Sequence, residues 1–162
     1  PGWAGNHWMK WVCELTASKE PAKGFFMETG YQMPVTPGSE EYAPLGAMPV
    51  KSWLTRPLDG AVLGRARVEI RGHAFTGQGH VTQVEVSTDG GSTWALARLD
   101  KLVSPGAWQR FTHAWKPQLA GRHLIVARAT DSFGAVQPEV SVGNRSGYFW
   151  NGWDRVTVEV ES

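Results

Sequence analysis

Residues 72–100, GHAFTGQGHVTQVEVSTDGGSTWALARLD, decide the fold. Val81, Val84 and Val86 punctuate a run that ends in Asp89-Gly90-Gly91, and Trp94 opens the return. Consecutive glycines accept the positive φ that tight hairpin turns require, and the flanks are pleated and half apolar. The stretch predicts a β-hairpin, with residues 80–88 paired against 94–99.

The same punctuation continues on both sides. Residues 50–54 form one expected strand, closed by the turn Pro57-Leu-Asp-Gly60. Further strands are expected over residues 67–75, 108–115, 121–131 and 155–160, the last alternating Val156, Val158 and Val160 with Arg155, Thr157 and Glu159. Short strands at this spacing, with turns between them, predict an all-β fold, an immunoglobulin-like antiparallel β-sandwich over residues 46–162. Residues 1–45 are too few for a core of their own. Within 33–49, MPVTPGSEEYAPLGAMP, four prolines and no apolar period predict an extended connector. The domain boundary is set at residue 45.

Composition narrows the function classes. The 162 residues carry a formal charge of +1 with both signs interspersed, which lacks the basic stripe of a nucleic-acid binder. No run approaches the roughly 18 apolar residues of a membrane-spanning helix. The chain opens at Pro1 without a leader pattern, so a processed or excised piece is expected. A single cysteine, Cys13, leaves no partner for a disulfide and no multi-cysteine zinc site; a buried thiol on a strand is expected there. Nine tryptophans are expected mostly to pack in the core or at an interface. None of His7, His73, His80, His113 and His123 shows metalloprotease spacing, and neither a nucleophile elbow nor a phosphate loop occurs.

Two places carry candidate chemistry. In Gly5-Asn-His-Trp-Met-Lys10-Trp11, a glycine can turn backbone N–H groups outward while Lys10 supplies a counter-charge. That combination suits a phosphate. In Trp108-Gln-Arg-Phe-Thr-His-Ala-Trp115, Arg110 alternates with Trp108 on one strand face, the pairing of an anion or cation–π site.

Taken in order, three segments resemble the C-terminal part of the molybdenum-cofactor sulfite oxidase family. The first is PGWAGNHWMKW over residues 1–11, similar to the Pro-Gly…Lys-Trp segment that closes the family's cofactor domain. The second is the hairpin stretch 72–100. The third is ARATDSFGAVQP over 127–138 followed by GYFWNGWDRV over 147–156. The resemblance implies an immunoglobulin-like dimerisation domain preceded by an extended remnant of the molybdopterin-binding domain. It implies a homodimer and a molybdenum–molybdopterin cofactor contacted by His7, Trp8, Met9 and Lys10, with His7 at a position where vertebrate members carry arginine.

By the same resemblance, Arg110 approaches a small oxyanion substrate, although Gln109 and Thr112 replace the tryptophans that usually flank it. A c-type cytochrome or other haem protein would accept the electrons, and a bacterial source would favour the periplasm. Cys13 does not match the family's molybdenum-ligating cysteine, so this piece alone is expected to be inactive. Two alternatives stand beside this reading. One is a free-standing immunoglobulin-like interaction module. The other is a carbohydrate-associated β domain, because Ser87-Thr-Asp-Gly-Gly-Ser-Thr-Trp94 fits the Asp-box of sialidase-type propellers, a box that occurs once here.

Overall fold

The computed structural model describes residues 1–162. Two sheets face each other. One runs β4 (Ala61–Leu63), β11 (Asp154–Val160), β10 (Gly121–Asp131), β6 (Val81–Ser87) and β7 (Ala95–Leu96). The other runs β3 (Lys51–Arg56), β5 (Val68–Phe75), β9 (Gln109–Trp115) and β8 (Arg98–Leu99). All pairings are antiparallel except β4 with β11, which is parallel. The immunoglobulin-like sandwich expected from the sequence is the architecture observed.

Period-two alternation builds the core. Ile70, Ala74 and Phe111 point inward from one sheet, and Val84, Val86, Ile125, Ala127, Ala129, Val156 and Val158 from the other. Phe111 is fully buried over Gly72, where an added Cβ would meet the ring and the Trp53 carbonyl at less than 3.0 Å. Gly72 thus makes room for the largest core side chain.

One buried polar side chain ties the layers together. Gln137 Oε1 accepts from Ser52 N and Ser52 Oγ, both at 2.7 Å, and from Ala129 N at 3.2 Å. Its Nε2 donates to Ser52 O and Gly152 O. A buried amide is tolerated when its donors and acceptors are partnered in this way.

Three expectations change. The segment returning after the Asp-Gly-Gly turn pairs with β6 for only two residues, then crosses to the other sheet as β8 against β9. Ala97 N still donates to Val84 O, whereas Asp100 N donates to Arg110 O, so one short segment closes an edge of both sheets. The connector also contains a small ribbon, β1 (Gln32–Pro34) against β2 (Tyr42–Pro44). Its strands bury no face, so no alternation marks them in the sequence.

Cys13 is the third. It is exposed and lies on no strand, because the whole of residues 8–29 is exposed, including the single helical turn α1 (Phe25–Glu28). Nor is any of the nine tryptophans fully buried within the chain: Trp3, Trp8, Trp11, Trp53, Trp108 and Trp150 are exposed, and the other three are intermediate.

Candidate functional site

The two ends of the sandwich differ. At one end, β6 runs into the Asp89 turn, where Gly90 and Gly91 adopt φ of 75° and 102°. Asp89 Oδ1 accepts from Ser87 Oγ at 2.6 Å and Thr93 N at 2.9 Å, and Oδ2 accepts from Thr93 Oγ1 at 2.6 Å. Those bonds, the Ser87 hydroxyl first, favour the carboxylate and hold its pKa down at about 2. Beneath the turn Trp94 meets Trp153 edge-on at 4.9 Å, and the Arg128 guanidinium lies 4.0 Å over Trp94 while pairing with Glu85 at 2.7 Å. Every charged group in this cluster has a partner.

At the other end β5 finishes, β3 and β9 begin, and the N-terminal residues dock. Trp3 forms an isolated bridge with Ala47, and Ala4 N donates to Gly46 O at 3.3 Å. Met48 N donates to Gly2 O and Gly77 N to Met48 O, both at 2.8 Å. Pro1 lies against Gly106 in the loop leading to β9. The N-terminal segment and the start of the Arg110 strand therefore share one end of the sandwich.

From that anchorage a 3-10 turn, Gly5–His7, leads to the candidate residues. His7 Nε2 lies 2.6 Å from Leu45 O, a bond in which the ring nitrogen donates, and the ring meets Trp3 edge-on. Trp8, Met9 and Lys10 follow, all exposed, and Trp11 has φ 53° with its side chain 95% exposed. Lys10 forms no salt bridge within the chain. An exposed lysine amid exposed Trp8, Met9 and Trp11 is a cation and an apolar surface with nothing of this chain against them.

Arg110 projects from the outer face of β9, opposite His73. Its Nε donates to Asp100 Oδ2 at 2.7 Å, and no hydrogen bond to its two terminal nitrogens forms within the chain. Asp100 thus orients the guanidinium and leaves its fork available to an anion. Trp108 does not stack on Arg110. It packs on Trp53 at 4.3 Å and Phe75 at 4.8 Å.

The sequence did not single out Lys51. Its ammonium lies 5.5 Å from the Trp53 ring and 5.6 Å from the Trp150 ring, and donates to Trp150 O at 3.1 Å. Burial pushes its pKa down, against the Asp154 carboxylate, which raises it. No local motif marks this cage, since its walls come from residues about 100 positions apart.

No cluster of three or more His, Cys, Asp or Glu side chains could hold a metal ion. The exposed, unpaired Lys10 carries the charge complementary to a phosphate, and no donor set for a metal lies beside it.

The fold and its docked N-terminal segment define an immunoglobulin-like sandwich with an extension at one end. The chain belongs to the Mo-co oxidoreductase dimerisation domain family, whose model matches residues 43–161. It is 32% identical over 182 residues to human mitochondrial sulfite oxidase, covering 99% of this chain and 32% of that protein. An NADH nitrate reductase from Lotus japonicus is 27% identical over 186 residues, covering 99% of this chain and 21% of that protein. Among solved structures, the sulfane dehydrogenase SoxCD from Paracoccus pantotrophus superimposes over 100% of this chain and 45% of its own, with a TM-score of 0.82 and 29% identity. The chain spans about a third of the length of the sulfite oxidases it matches.

Proposed function

We propose that this chain is the C-terminal portion of a molybdenum-dependent, sulfite oxidase-like oxidoreductase. Residues 1–45 would complete the molybdopterin-binding domain, and residues 46–162 would form the dimerisation sandwich. The observation that carries this reading is the unpaired Lys10 among exposed Trp8, Met9 and Trp11, on a segment whose start is bonded to the sandwich. Such a segment is poised to lie against a second surface that bears an anion.

In this reading Lys10 neutralises the cofactor phosphate, and Trp8 and Met9 cover it and exclude water. His7 is engaged with Leu45 O and sets where that loop begins. Arg110, oriented by Asp100, offers its free N–H groups to a small oxyanion of the sulfite class. The bound molybdenum would supply the two-electron redox chemistry, and a haem protein such as a c-type cytochrome would take the electrons. The sandwich would pair with a second copy about a two-fold axis.

The test is to purify the complete protein that carries this chain and measure its mass, its molybdenum and its oxidation of sulfite with cytochrome c. This reading predicts a dimer by light scattering at micromolar concentration, with about one molybdenum per protomer and sulfite-dependent cytochrome reduction. A metal-free monomer inactive toward sulfite would contradict it.

A further inference from the structure

Three backbone layers meet where the N-terminal segment joins the sandwich: residues 2–4, residues 45–48, and the Gly77 corner after β5. Gly2 O accepts from Met48 N, and Met48 O accepts from Gly77 N. The middle layer is also gripped by Ala4 N on Gly46 O and His7 Nε2 on Leu45 O. A Cβ on Gly77 would come under 3.0 Å from Gly2 O, Met48 N and Met48 O, all backbone atoms that no rotamer change can remove. From the other side, a Cβ on Gly2 would press on the Gly77 carbonyl, and Gly2 also needs its φ of 92°. The layers touch because both residues lack side chains.

We propose that Gly77 and Gly2 are positioning residues: their contact fixes where the His7–Lys10 loop leaves the sandwich. This rests on the reading that the loop faces the cofactor. Neither glycine touches the cofactor in this account. Gly77 lies in the sandwich, outside the segment that carries the loop, and its φ is not in the left-handed region, so alanine there meets steric contact without backbone strain. The loop is held at its start by His7 Nε2 on Leu45 O and by the His7 ring against Trp3. Backbone bonds from His7 N to Ala4 O and from Trp8 N to Gly5 O add to that hold, and each of these contacts involves residues 3–7. A displacement of residues 2–4 would pass directly to Lys10, six residues beyond Ala4.

The experiment compares Gly77→Ala, Gly2→Ala and the control Gly46→Ala in the complete protein. Gly46 belongs to the same stack, yet an added Cβ there meets nothing within 4 Å. Hydrogen exchange of residues 1–10 is followed alongside β6 and β10, with bound molybdenum measured in parallel. Both test variants are expected to exchange about tenfold faster over residues 1–10, with β6 and β10 protected as in the parent. They should also retain less molybdenum, while Gly46→Ala matches the parent in every readout. Unchanged exchange over residues 1–10, or equal loss of protection in β6 and β10, would overturn the proposal. If Gly77→Ala does not fold, Gly2→Ala decides alone, because Gly2 lies outside both sheets. Faster exchange in a protein whose parent form holds no molybdenum would uphold the coupling and overturn the cofactor reading instead.

Discussion

The two ends of the sandwich make a natural contrast. At the Asp89 end the carboxylate, hydroxyls and guanidinium satisfy one another, and two indoles pack beneath them. At the N-terminal end Lys10 lacks an ion partner, Arg110 keeps a free fork, and Trp8, Met9 and Trp11 stand in solvent. A group whose interactions are complete contributes to stability and has little left for a ligand. Unpaired donors and exposed apolar side chains on a segment tied to the sandwich are the reverse, and in the proposed reading they mark the end that meets another surface.

Substitutions can break or sharpen that contrast. The largest expected effect lies at Gln137, which is buried between the sheets and fully partnered. Gln137→Ala strands the Ser52, Ala129 and Gly152 backbone groups and should lower stability by about 3 kcal/mol in urea unfolding. A loss under about 1 kcal/mol would show that these groups find other partners. At the turn end, Trp94→Ala removes the ring between Trp153 and Arg128 and should cost about 2 kcal/mol, with no effect on molybdenum content. Lost molybdenum in that variant would erase the distinction between the ends.

Smaller effects follow. Arg110→Ala should raise the KM of the complete enzyme for its oxyanion about tenfold, through loss of a charge-assisted contact. Its melting temperature should stay nearly constant, because the Asp100 pair is half exposed. An unaltered KM would assign Arg110 to the surface alone. The smallest effect concerns pH. The Asp89 pKa is lowered from 3.8 to about 2, so its contribution is complete above about 4 and fades as pH falls through about 2. Asp89→Asn should flatten the melting-temperature profile over that window and leave neutral-pH dimerisation alone. A profile as steep as the parent's would mean that other carboxylates dominate acid unfolding.

Much of the sandwich is legible in the sequence because each strand buries one face, and burial writes alternation into the chain. Val156, Val158 and Val160 show it, as do Asp89, Gly90 and Gly91, whose turn needs residues tolerant of positive φ. No residue of the β1–β2 ribbon is fully buried and no face alternates, so it is silent in the sequence. The crossing of residues 95–99 between sheets is silent too, since two-residue strands are too short for a period.

At the site, residue types and spacing single out Lys10 and Arg110. They do not tell that Asp100 would orient Arg110, that Leu45 would engage His7, or that Trp108 would join Trp53 instead of Arg110. Each of those contacts joins segments remote in sequence. Cys13, expected as a buried thiol on a strand, is exposed because nothing in the chain covers residues 8–29.

The central claim is that the N-terminal end is finished by a molybdopterin-bearing partner surface. Molybdenum per protomer, measured in the complete parent protein and in Lys10→Ala purified identically, tests it most directly. The account predicts about one molybdenum per parent protomer and a severalfold lower content in Lys10→Ala, with the sandwich melting unchanged. Equal molybdenum in the two, or none in either, would contradict it.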